Sequence, residues 1–314
     1  MPAQRIVSLL PAATETLFAL GLGDQVVGVS HECDFPPAAR SRSVVIHSRI
    51  PKDASPQEID RLVREFSARG ESIYAVDAAA LRRLAPDLII TQDLCHVCAA
   101  SPEDLSALLA TFDPRPELLC LNPADLGDVW RDILWIGEQT FRGHEAERLL
   151  ESIGEKLAAI DREVGETVCR PRSVFLEWLE PLYAGGHWVP EMIELAGGFD
   201  VLGKTRRPSF RVSFEEIIAA QPDMLIVAPC GYSAEQAGRE YRSLSFPREW
   251  QDVPAVRNQR IFALDANSYF SRPGPRLVTG LEILGKLFHS GINVSPEAEQ
   301  SIQPLFTSAQ AAGV

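Results

Sequence analysis

A short phrase occurs twice in this chain. Leu84-Ala85-Pro86-Asp87-Leu88-Ile89-Ile90 returns as Ala220-Gln221-Pro222-Asp223-Met224-Leu225-Ile226-Val227. Proline ends a helix and biases the residue before it toward extended backbone, and the apolar run that follows has the length of a buried strand. Each copy therefore marks a helix-to-strand junction. A junction used twice, far apart, predicts two similar lobes with a ligand cleft between them. At 314 residues the chain is long enough for two domains, each with its own core.

The elements around the repeat fit that plan. Arg5 to Leu10 reads as a buried strand, Pro11 to Leu20 as a helix closed by Gly21 and Gly23, and Val26 to Val29 as a second strand. Parallel strands need such a crossover, and it is nearly always right-handed. Further helices are predicted at 56–69, 77–84 and 102–111, with strands at 88–91 and 117–121. From 143 to 164, Ala146, Leu149, Leu150, Ile153, Leu157, Ile160 and Val164 recur at steps of three and four, the mark of one amphipathic helix. At 1.5 Å per residue it spans roughly 30 Å, a strut that predicts modest closing motion. The second half repeats the plan, with strands at 173–178, 224–228 and 260–264 and helices at 189–196 and 275–289. The tail beyond Ser290 shows little periodicity and is expected to pack loosely. The fold expected is α/β: two Rossmann-like lobes with parallel sheets joined by one long backbone helix. The boundaries are 1–142, 143–165 and 166–314.

Charge and apolar runs exclude some partners. A net charge of −13 and no basic block argue against nucleic acid and against an anionic membrane surface. No apolar run approaches the roughly 20 residues of a membrane-spanning helix. The N-terminus runs straight into strand-like sequence with no signal peptide, so a cytoplasmic location is expected, or a periplasmic one if a native leader is missing. Six cysteines then default to reduced thiols.

In open α/β sheets ligands sit beyond the carboxyl ends of the strands. The segments there are 30–35, 92–98, 178–183, 185–188 and 267–272. They alternate aromatic and polar side chains, as a large, partly apolar ligand requires. Trp178, Trp188, Tyr269 and Phe270 are candidates for flat contact, with core packing as the competing role for the tryptophans. Asp93 and Arg272 are candidates for polar contact, unless Arg272 only caps a carboxylate. Cys95-His96-Val97-Cys98 could hold a metal with help from His31, Cys33 or His187, form a redox pair, or be structural. No nucleophile elbow, phosphate loop or His-Glu-x-x-His appears, so binding is favoured over catalysis.

The opening Arg5-Ile6-Val7-Ser8-Leu9-Leu10-Pro11-Ala12-Ala13-Thr14-Glu15, Val27-Gly28-Val29-Ser30 with Asp34-Phe35-Pro36-Pro37, and both Pro-Asp repeats resemble the iron-chelate and vitamin B12 substrate-binding family, especially the cobalamin-binding proteins that serve ABC importers. The resemblance covers residues 5 to 290. It implies two lobes on a helical backbone and a non-catalytic protein that takes cobalamin or a related corrinoid as ligand, not as a catalytic cofactor. A siderophore or haem chelate is the alternative on the same fold, and a metal protein or enzyme built on Cys95, His96, Cys98 and His31 is the second. Trp178, Tyr269 and Phe270 fall at the family's aromatic places. Glu32, Arg49, Gln92 and Ser209 stand at others, which implies a more polar pocket with Glu32, Arg49 and Gln92 as contacts. His187 or His31 is a candidate cobalt ligand. The family also carries a surface glutamate on each lobe that pairs with arginines of the permease. Glu215 holds that place in the second lobe and Ala79 in the first, so permease docking is expected to be incomplete and handling of the ligand inside the cell becomes an option.

Overall fold

A computed structural model describes residues 3–51, 53–92, 102–165 and 169–305. The chain divides into two units, one of residues 1–123 with 127–152, the other of 124–126 with 153–314.

In the first unit the strands are β1 (Ile6–Ser8), β2 (Val26–Ser30), β3 (Ser43–Ser48), β4 (Tyr74–Val76), β5 (Leu88–Gln92) and β6 (Glu117–Leu121), in the order β4-β3-β2-β1-β5-β6. All pairings are parallel except β3 with β4. The central strands are short and apolar because both faces are covered: Ile6, Val7, Ile89 and Ile90 are fully buried. Helices α1 (Pro11–Ala19), α2 (Pro56–Ala68), α3 (Ala78–Leu84), α4 (Pro102–Leu109) and α5 (Leu126–Gln139) make the connections. Pro11 opens α1 and Pro56 opens α2, where a missing N–H costs nothing. The helix expected from 143 to 164 is α6 (Gly143–Gly165), 23 residues long. Its first ten residues belong to the first unit and the remainder to the second.

The second unit centres on β7 (Arg172–Leu179), which turns back through β8 (Leu182–Ala184). Then come β9 (Gly186–His187), α7 (Val189–Leu195), β10 (Phe199–Asp200), β11 (Lys204–Thr205), β12 (Phe210–Arg211), α8 (Phe214–Ala220) and β13 (Met224–Val227). The unit continues with α9 (Ala234–Ser243), α10 (Pro254–Arg257), β14 (Ile261–Ala263), α11 (Ala266–Tyr269) and α12 (Leu277–Phe288). The main sheet runs β12-β8-β7-β13-β14-β15, where β15 (Gln303–Pro304) follows α13 (Pro296–Gln300). Its heart, β7-β13-β14, is parallel. The tail expected to pack loosely is tied down as far as Leu305: β15 pairs with β14, Leu305 is buried in the core, and Glu297 accepts a hydrogen bond from the Tyr269 hydroxyl. A five-residue helix and two strand residues are too short to leave a periodic signal.

The repeated phrase has the same structure in both units. Ala85 and Gln221 end α3 and α8 in the left-handed region, at φ 43° and 44°. The Asp87 carboxylate accepts from the backbone N–H of Gln4 (2.8 Å) and Arg5 (3.2 Å), and Asp223 accepts from that of Arg172 (3.0 Å). In return the Arg5 side chain donates to the Leu84 carbonyl (2.6 Å) and Arg172 to that of Ala220 (2.9 Å). Each arginine satisfies a carbonyl left over at a helix end, and each aspartate fixes the entry of the neighbouring strand.

Candidate functional site

In the first unit the carboxyl ends of the central strands are polar and buried. Ser8 ends β1, Ser30 ends β2, and Thr91 and Gln92 end β5, all at most 5% exposed. Thr14, in α1, donates to Ser8 Oγ at 2.8 Å and lies 3.1 Å from the Cys33 sulfur. His31 follows β2. Its Nδ1 lies 3.2 Å from the Ile46 carbonyl, to which a protonated Nδ1 donates, so Nε2 is left on the side of Glu32, 3.8 Å away. Glu32 is exposed. Arg49 follows β3 and is held on three sides: it donates to the Ser72 carbonyl (2.9 Å), pairs with Glu71 (3.3 Å) and lies 4.4 Å over the Phe66 ring. Asp93, Cys95, His96 and Cys98 lie outside the described residues. Among the described residues no group of three or more His, Cys, Asp or Glu side chains is arranged to hold a metal.

In the second unit Trp178 stands near the end of β7. Its indole N–H donates to the Glu180 carbonyl (3.1 Å) and its ring meets Tyr232 edge-on at 5.6 Å. His187 has a left-handed backbone, φ 50°, and its ring lies 5.5 Å from that of Trp188. Burial lowers the His187 pKa, which keeps the imidazole neutral and able to ligate a metal.

Two expected contact residues turn out to be core. Trp188 is 5% exposed and its indole N–H donates to the Phe270 carbonyl at 2.8 Å. Phe270 is 2% exposed and packs on Phe175 at 5.3 Å. The loop setting that suggested otherwise is real for Trp188, but the loop folds inward. Tyr269, also buried, spends its hydroxyl on Glu297 (2.9 Å), with Arg276 over its ring at 5.7 Å. Arg272 is buried and donates to Asn267 Oδ1 at 2.9 Å.

Glu177 was not anticipated. It stands partly buried on β7, where Gly186 N–H (3.4 Å) and the Ser209 hydroxyl bond its carboxyl. Burial pushes it up to about 7, and the nearby Asp200, also partly buried, is pushed up to about 6. Asp200 accepts from Leu202 and Gly203 N–H at 3.1 and 2.7 Å through one oxygen, while the other is buried without a partner among the described residues. A lone glutamate in the apolar run Val174-Phe175-Leu176-Glu177-Trp178-Leu179 was the available signal.

Glu215 lies exposed in the first turn of α8, behind a capping box of Ser213 and Glu216, and backbone hydrogen bonding at the helix start lowers its pKa. Ala79 sits exposed at the matching place in α3, two residues after the cap Asp77.

Two α/β units sharing one long helix define the class of two-lobed binding proteins. The chain belongs to the periplasmic binding protein family, which it matches over residues 6–268. It is 25% identical over 292 residues to the vitamin B12-binding protein of Vibrio cholerae, covering 90% of this chain and 87% of that one. An uncharacterized ABC transporter substrate-binding lipoprotein of Bacillus subtilis is 24% identical over 293 residues, covering 90% and 79%. Among solved structures, a periplasmic heme-binding protein from Roseiflexus superposes with a TM-score of 0.69 at 25% identity, covering 92% and 98%. These findings overturn the cytoplasmic expectation, because the family and the Roseiflexus protein are periplasmic and the Bacillus relative is a lipoprotein. A leader is removed from a mature exported protein, so how a sequence begins is a poor guide to its compartment. Among the described residues no helix is long and apolar enough to cross a membrane.

Proposed function

We propose that this protein is the solute-binding component of an ABC importer, that it works outside the cytoplasmic membrane, and that its cargo is a metal chelate of the corrinoid, haem or siderophore type. It binds and does not catalyse. The observation that carries the reading is family membership over residues 6–268. The buried polar strand ends of the first unit, and in the second the partly exposed Trp178 and His187, support it. In this reading Trp178 offers a ring face, Glu32, Arg49, Gln92 and Arg272 polar contacts, and His187 or His31 an imidazole for the metal. Glu215 takes part in docking to the permease.

Calorimetric titration with cobalamin, cobinamide, iron protoporphyrin IX and a ferric catecholate tests it. Tight one-to-one binding of any of these supports the reading, and absence of binding by all four overturns it. With the bound chelate, His187→Ala and His31→Ala report on metal ligation. Unchanged metal-ligand absorbance bands in both remove that role.

A further inference from the structure

The acidic chain carries a short, dense run of opposite sign. Lys204, Arg206, Arg207 and Arg211 fall within eight residues, and no Asp or Glu occurs between Asp200 and Glu215. All four side chains are exposed. The run is fixed by its backbone to the segment that carries His187. β11 pairs with β9 in parallel, Lys204 beside Gly186 and Thr205 beside His187. His187 N–H donates to the Arg207 carbonyl (2.6 Å), and Arg206 N–H donates to the His187 carbonyl (3.0 Å). Further along, β12 pairs with β8, Phe210 beside Ala184 and Arg211 beside Tyr183. Gly186 makes this approach possible. A methyl group there would lie 2.5 Å from the Arg207 carbonyl oxygen and 2.6 Å from the Pro208 carbonyl carbon.

The charges are not spent alike. Arg206 pairs with Asp125, and the Lys204 ammonium rests 4.5 Å over the Phe210 ring. Arg207 and Arg211 make no carboxylate pair among the described residues. Two further acids of this region are held elsewhere: Glu177 by the Ser209 hydroxyl and Gly186 N–H, and Asp200 by Leu202 and Gly203 N–H. A guanidinium recognises carboxylate or phosphate through two parallel hydrogen bonds, and a local positive strip on a negative molecule draws anions to that spot.

We infer that the strip Lys204–Arg211, with Arg207 beside His187 at its centre, recognises anionic groups on the ligand, so that the cargo is a chelate bearing free carboxylates, phosphates or catecholates. This rests on the reading above that the His187 segment faces the ligand. The strip is favoured as a ligand contact over an acidic partner surface or an anionic membrane because its backbone is bonded to the His187 segment, whereas the chain as a whole, at −13, is repelled by such surfaces.

The test compares ligands with the same ring and different charge: iron protoporphyrin IX and its dimethyl ester, with cobinamide as a chelate lacking any acid and cobalamin as one whose only acid is a single phosphodiester. Tryptophan quenching gives the affinities. The diacid is expected to bind about tenfold or more tighter than the diester. That ratio is expected to shrink as salt rises from about 0.05 M to about 0.5 M. The double variant Lys204→Ala/Arg207→Ala should bring the ratio to within about twofold while leaving diester affinity intact, and Arg207→Lys should retain part of the preference. Circular dichroism confirms folding of each variant; the backbone bonds of residue 207 survive both changes. Equal binding of diacid and diester, or a preference unchanged in the double variant, overturns the inference. So does tight binding of corrinoids with neglect of both porphyrins, an outcome that leaves the chelate-binding function standing. Binding of none of the chelates overturns both. Sedimentation with anionic phospholipid vesicles that is lost in the double variant, with the porphyrin ratio unchanged, assigns the strip to a membrane and overturns the inference as well.

Discussion

Glu177 is a residue whose chemistry departs far from its ordinary range. Its carboxyl rises from 4.5 in the unfolded chain to about 7 in the fold, because burial penalises the charge more than the Gly186 and Ser209 bonds favour it. Between those values the folded protein holds a proton that the unfolded chain has released. Stability therefore falls as pH rises from about 4.5 to about 7 and levels off above. At 1.36 kcal/mol per pH unit the loss is at most on the order of 3 kcal/mol. Glu177→Gln, which keeps an acceptor for Gly186 and carries no charge, should flatten this slope and stabilise the protein at pH 8. Urea unfolding across the pH series checks it, and a slope unchanged in the variant refutes it. Trp188 and Phe270 teach the complementary lesson. Sequence identifies an aromatic beside glycines, but not whether its indole N–H finds a carbonyl inside the protein, as Trp188 does at Phe270.

The Pro-Asp junction is the element that organises both units. Proline stops the helix, a left-handed residue turns the chain, and the aspartate grips the entry of the neighbouring parallel strand. These bonds are exposed, so each aspartate is expected to contribute only about 1 kcal/mol. Asp87→Ala and Asp223→Ala should each lower thermal stability by that amount. Their double variant should show the two losses adding, since they act in separate units. Differential scanning calorimetry measures this. The junction was legible as a repeat, and helices such as α1, α2 and α6 were legible from proline and periodicity. The strands β3 and β4 and the helix α5 were not drawn from the sequence. Nor were β11 and β12, at two residues each, which exist only because β9 and β8 are there to pair with them.

For the whole molecule, binding and stability are linked. A ligand that binds only the folded state at 100 times its Kd stabilises it by about 2.7 kcal/mol. The chelate identified by titration should therefore raise the midpoint of thermal unfolding in a concentration-dependent way. No shift under saturating ligand would contradict specific binding. The proposed docking surface also belongs here. Glu215 is exposed and ionised at the start of α8, while Ala79 holds the matching position of α3, so any charge pairing with a permease through these two places is one-sided.

Local rules were enough for the two α/β halves, the long α6, the place where each helix yields to a strand, and the family. Proline geometry, apolar periodicity and strand length act over a few residues and leave their mark in the order of the residues. The fate of individual site side chains was decided only by tertiary structure. Whether Trp188 is buried, whether Glu177 holds its proton, and whether Lys204 to Arg207 run beside His187 depend on segments distant in sequence meeting in space. Burial and pairing are properties of that meeting, and no local pattern encodes them.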